Sequence, residues 1–118
     1  MTPATEHRTL AAIMFTDMVG YSALSQRNEA LALELLEEHR GIVRSVLAKH
    51  AGREVKTTGD GFLLEFRSAL AAVQCGVAMQ QALHERTQVQ PTERQVRIRI
   101  GIHVGDVVLR DGDMHGDA

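Results

Sequence analysis

The sequence predicts an α+β fold, with helices packed on one face of an antiparallel sheet, and three observations carry that expectation. Val96, Ile98, Ile100, Ile102 and Val104 alternate with Arg97, Arg99, Gly101 and His103, the period of a strand with one buried face. The stretch NEALALELLEEHRGIVRSVLAKH places apolar residues at helical spacing. EVKTTGDGFLLEF reads as two short strands joined by turn residues. In chain order the signals run β, α, β, β, α, β, β, helices interleaved with antiparallel pairs.

Residues 1–9 form a polar lead-in, and the domain is expected over 10–118. Leu10 to Phe15 is an apolar run that suits a buried strand, and TDMVGYS after it suits a polar loop feeding a short helix. Asn28 is a good helix cap, and the helix it opens should turn Leu31, Leu35, Ile42, Val46 and Leu47 inward before closing near Gly52. Val55–Thr58 and Phe62–Phe66 make the hairpin around Gly59-Asp60-Gly61. Ser68 caps a second helix to about Arg86, with Leu70, Val73, Val77, Gln80 and Leu83 in helical steps. A connector containing Pro91 leads to the alternating strand, and a turn at Gly105-Asp106 to a last strand over Val107–Leu109.

Composition excludes several classes of function. The chain has 118 residues, 44% of them apolar, enough for one domain with a real core. With 13 basic against 15 acidic residues, the charge balance favours neither nucleic acid nor an anionic membrane. Three Phe, one Tyr and no Trp offer no platform for stacking bases. No window is long and apolar enough to span a membrane, and the N-terminus lacks the apolar core of a signal peptide. The lone Cys75 sits in an Ala/Val-rich helical stretch and reads as a packed thiol in a reducing compartment, so a cytoplasmic location is expected, alone or as the cytosolic part of a larger protein. The six histidines lack metal-ligand spacing, and Arg97, Arg99 and His103 read as the polar side of their strand.

Two acidic residues stand where folds present chemistry, at strand ends: Asp17 after LAAIMFT and Asp60 in the hairpin. If those strands are neighbours, the carboxylates meet, and two carboxylates together call for a hard cation such as magnesium or manganese. Plainer roles fit as well, Asp17 as a helix cap and Asp60 as a turn residue. The amides of MVGYS could cradle an anion, and Lys56 is a lysine inside a strand.

Together the strings are specific. FTDMVGYS, followed about forty residues later by VKTTGDGFLLEF and then by RIGIHVGDVV and DGDMHGD, resembles the catalytic domain of the class III nucleotidyl cyclases, the adenylyl and guanylyl cyclases. The likeness runs from about Ala11 to the end. It implies a ferredoxin-like βαββαβ core of which this chain holds the N-terminal two thirds, lacking the C-terminal elements. It implies that Asp17, Asp60 and the Met18 carbonyl bind two Mg2+ (or Mn2+), and that Val19, Gly20, Tyr21 and Ser22 hold the distal phosphates. Lys56 and Asp113 match the residues that read the purine, and a lysine donor with an aspartate acceptor complements adenine rather than guanine, which makes ATP the expected substrate.

The resemblance further implies a head-to-tail homodimer with shared sites, converting ATP to 3′,5′-cyclic AMP and pyrophosphate. Asp106 departs from members that carry an arginine near the phosphates. A later asparagine, arginine and lysine of the family pattern are not among these residues, so the chain by itself is expected to be inactive or very weak. The rival readings are a non-catalytic cyclase-homology module that binds nucleotide or a partner domain, and a guanylyl cyclase.

Overall fold

The computed structural model describes the backbone of residues 6–110 and 113–116, and side chains between residues 11 and 105. Strand β1 (Glu6–Met18) is followed by helices α1 (Tyr21–Arg27) and α2 (Glu29–Leu47). The hairpin β2 (Arg53–Thr58) and β3 (Gly61–Phe66), helix α3 (Ala69–Gln88), a short 3-10 turn at Thr92–Arg94, and strands β4 (Ile98–Arg110) and β5 (Asp113–Gly116) complete it. The strands form one sheet in the order β2-β3-β1-β4-β5, and every described pairing is antiparallel. The first four strands have the ferredoxin-like order expected from the sequence.

Both predicted caps do their work. The side chain of Asn28 accepts from the Leu31 amide, and that of Ser68 from the Ala71 amide. Helices α2 and α3 cover the sheet face that carries Met14, Phe62, Leu64, Phe66 and Ile98, and Val96, just before β4, joins that core. Ala11, Ile13 and Leu63 make a small cluster on the opposite face, with no helix among the described residues packed in it. Arg86 of α3 donates to Glu38 of α2, and Arg94 bonds Glu34 and Glu38, so the helices and the 3-10 turn are tied by a charge network. Cys75 is fully buried, as expected, and burial pushes its thiol up to about 11, far from reactive.

Four local expectations need correction. Helix α3 turns Ala72, Cys75, Gly76, Met79 and Leu83 inward, while Leu70, Val73 and Val77 are exposed. Apolar residues occur on more than one side of this helix, and the smaller set allows the closer approach: a Cβ on Gly76 would already touch Met14 and Ile100. Helix α2 buries Ala32, Leu35, Leu36, His39, Val43 and Leu47, leaving Leu31, Ile42 and Val46 on its flank. No turn occurs at Gly105-Asp106, because β1 begins at Glu6 and supplies a partner for every residue of β4 from Ile98 to Arg110. The alternation runs through β4, but only Ile98 and, just before the strand, Val96 are buried; Ile102 and Val104 stay exposed.

His39 is a core residue that its polarity conceals. It is fully buried against Phe62, ring centroids 5.7 Å apart, and among the described residues neither ring nitrogen has a hydrogen-bond partner. Burial holds the imidazole below its ordinary 6.5 and Arg40 adds to this, with the Leu36 backbone and Asp60 offsetting it in part. A depressed folded-state value means that the unfolded chain takes up a proton the folded one refuses. Stability is therefore expected to fall as pH drops below about 6.5. Urea melts at pH 7.5 and 5.5 should show a steeper acid loss for the wild type than for His39→Leu; equal losses would count against it.

Candidate active site

The site is assembled at one end of β1. Asp17, the penultimate residue of β1, lies across from Gly61 of β3 on one side and Arg99 of β4 on the other. Asp60 immediately precedes Gly61, so the hairpin tip brings the second aspartate's backbone to the end of β1 that carries the first. The Met18 amide donates to the Asp60 carbonyl at 3.2 Å, and the Thr16 hydroxyl, buried, accepts from the Phe62 amide at 3.1 Å. These two bonds bracket the carboxylates and fix hairpin to strand. From the helix side, Arg40 donates to the Gly59 carbonyl at 3.3 Å and the Arg44 guanidinium stands 5.4 Å from the centre of the Phe62 ring.

The hairpin glycines do not do what their turn chemistry suggests. Among the described glycines only Gly20 has a positive φ, so neither Gly59 nor Gly61 is needed for a left-handed turn. Gly61 answers to close packing instead: a Cβ there would stand 1.6 Å from the Thr16 carbonyl oxygen. The strands can meet this closely at the Asp17 position only with glycine.

Lys56 is aimed by a bulge. Glu54 pairs with Leu64 and Lys56 with Leu63, so Val55 is the extra residue. Without it Lys56 would face Phe62 and the helices; with it Lys56 shares the uncovered face with Leu63, Phe15 and Asp17. Lys56 is exposed, and by strand spacing its Cα lies roughly 12 Å from that of Asp17, across β3.

At the segment expected to hold phosphates, Gly20 adopts φ 73° at the start of α1. The Val19 amide is spent on the Arg97 carbonyl at 2.9 Å, so Val19 shapes the loop. Gly20 leads into α1, whose first residues are Tyr21 and Ser22, and first-turn amides lack intrahelical partners. Asp113 opens β5 opposite Arg110; its side chain, like that of Asp106, lies outside the described ones.

Sequence reasoning missed Arg99. Its Nε donates to Asp17 Oδ1 at 2.9 Å, and this hydrogen bond, with the negative charges of Asp17 and Asp60, raises the guanidinium's affinity for its proton. A one-residue pairing between distant strands carries no local signal.

The carboxylate pair fits a metal. Its field already draws a cation, Arg99, and its donors are oxygens, which suit magnesium or manganese. Among the described residues no three His, Cys, Asp or Glu side chains converge on a metal position, so further oxygens would come from the backbone, water or substrate.

A ferredoxin-like sheet with paired aspartates at the β1 end and the β2–β3 tip defines a class, and comparison with known proteins identifies it: the chain belongs to the adenylate and guanylate cyclase catalytic domain family, whose model matches residues 4–113. It is 40% identical over 111 residues to putative adenylate cyclase 3 of Rhizobium meliloti, covering 93% of this chain and 19% of that protein. It is 35% identical over 106 residues to an adenylate cyclase of Streptomyces coelicolor, covering 89% of this chain and 26% of that protein. Among solved structures, an adenylate/guanylate cyclase/hydrolase from Silicibacter pomeroyi superposes with TM-score 0.85 at 42% identity, over 95% of this chain and 66% of that one. The chain thus spans about a fifth to a quarter of these curated relatives. Among the described residues no helix is long and apolar enough to cross a membrane.

Proposed function

We propose that this domain supplies the metal-binding and purine-reading elements of an adenylyl cyclase, which converts ATP to 3′,5′-cyclic AMP and pyrophosphate. The observation that supports the reading is that strand register and a bulge set Asp17 and Lys56 on one sheet face, while a close glycine contact holds the hairpin turn bearing Asp60 against the Asp17 end of β1. Asp17, Asp60 and the Met18 carbonyl would hold two Mg2+ (or Mn2+), ions that in such a site activate an attacking oxygen and stabilise charge at the phosphorus. Gly20, Tyr21 and Ser22 would bind the distal phosphates, with Val19 setting the loop. Lys56 would donate to adenine N1 and Asp113 accept from its 6-amino group.

The names of two curated relatives support the reaction, putative adenylate cyclase 3 of Rhizobium meliloti and an adenylate cyclase of Streptomyces coelicolor. An uncovered sheet face bearing catalytic groups, with Phe15 48% exposed beside them, supports a second copy docking head to tail so that each copy reads the purine bound at the other's metals. A cytoplasmic setting, where ATP is plentiful, agrees with the reading.

Lys56 gives the direct test of substrate. Guanine presents a donor at N1 and an acceptor at O6, so a lysine there disfavours GTP and a glutamate disfavours ATP. In Mn2+-dependent nucleotide binding followed by calorimetry, Lys56→Glu is expected to lower the preference for ATP over GTP at least tenfold, the scale of one misplaced hydrogen-bonding group. Unchanged selectivity would remove Lys56 from purine reading.

A further inference from the structure

We propose that Arg99 competes with the divalent cation for the Asp17 carboxylate and so sets the metal affinity of the site. The inference rests on the reading of Asp17 as a metal ligand. Arg99 and Asp17 are register partners on adjacent strands, so their contact is built into the sheet. The contact is made at 2.9 Å through Nε to Oδ1, an oxygen a metal would also use.

The guanidinium cannot give up its charge to make way. It lies within the field of Asp60 as well as of Asp17, the same field that would hold the metal. A doubly charged ion at the carboxylates repels it, whether that ion takes Oδ1 and displaces the arginine or takes Oδ2 beside it, so the two cations oppose each other at Asp17. Both side chains reach solvent, Arg99 72% and Asp17 41% exposed, which keeps the pair weak enough to be displaced. Arg99 thus neutralises the carboxylates at low metal and leaves them to the metal at high metal, and the measured affinity is the intrinsic one divided by the strength of the pair.

Free Mn2+ counted by electron paramagnetic resonance at low ionic strength tests this without any turnover. Arg99→Gln keeps a donor and loses the charge; it is expected to bind Mn2+ roughly two- to fivefold more tightly than the wild type, the range an exposed ion pair is worth. Arg99→Lys, which keeps the charge, should stay near the wild type. Binding by Arg99→Gln that is unchanged or weaker would overturn competition, because an arginine that orients Asp17 for the metal predicts that sign. Arg99→Lys binding as tightly as Arg99→Gln would overturn it too, since charge would not be the agent. Asp17→Asn separates the two readings: if it binds Mn2+ like the wild type, Asp17 is no ligand and both readings fall. If it loses Mn2+ while Arg99→Gln gains nothing, only the competition fails.

Discussion

Asparagine at either Asp17 or Asp60 is expected to weaken Mn2+ binding, and with it metal-dependent ATP binding, by about a hundredfold or more while leaving the fold intact. The magnitude follows from losing a charged ligand outright, when disturbing a ligand's supporting partner alone costs tenfold to a hundredfold. An amide presents a neutral oxygen and cannot balance a divalent ion as a carboxylate does. The fold should survive because neither carboxylate holds it together. At Asp60 the main-chain carbonyl, not the side chain, receives the Met18 amide. At Asp17 the only side-chain bond described is the exposed one to Arg99, which adds little to stability. Thr16 and Gly61, on either side, carry the structural contacts instead. Circular dichroism melts close to the wild type, with Mn2+ binding lost, are the expected pair of results. A variant that keeps wild-type Mn2+ affinity would take its aspartate out of the metal site.

The order of elements was legible because its signals are local. Asn28 and Ser68 announce their helices through their own side chains, and the alternation around Ile98 and Ile100 needs no partner to be recognised. Asp17 and Asp60 were legible as strand-end carboxylates within distinctive strings, and the register of β1 with β3 sets Asp17 opposite Gly61, the residue after Asp60. What stayed hidden depends on pairing across the chain. The face of α3 could not be chosen from a helix with apolar residues all round, and the fit of Gly76 over Met14 chooses it. The extra residue Val55 is invisible until β2 is laid against β3, yet it decides which side Lys56 faces. His39 lies at core spacing with Leu35, Leu36 and Val43, but a histidine does not read as core. The partnership of Arg99 with Asp17 spans 82 positions and exists only as sheet register.

The position most sensitive to the smallest change is Gly61. Gly61→Ala is expected to cost roughly 3 kcal/mol or more of stability, the upper range for forcing atoms into filled space. An added methyl would stand 1.6 Å from the Thr16 carbonyl oxygen, 2.6 Å from its carbon and 2.9 Å from Asp17 Cα. All three are backbone atoms, so no side chain can turn aside and β3 must move off β1 where the carboxylates meet. That movement pulls the Phe62 amide from the Thr16 hydroxyl and carries Asp60, one residue away, out of position. Molecules that remain folded should therefore bind Mn2+ more weakly than the wild type, an effect separate from the loss of stability. Gly59→Ala is the control, because nothing lies within 4 Å of its added Cβ and its φ is not positive. Urea denaturation should place Gly61→Ala well below Gly59→Ala, and equal midpoints would contradict the close approach of the strands. If Gly61→Ala is destabilised yet binds Mn2+ like the wild type below its midpoint, then the tip of the hairpin keeps its place without that contact. The other outcome, weak metal binding in a folded protein that has gained one methyl group, would tie the spacing of the two carboxylates to the absence of a side chain between their strands.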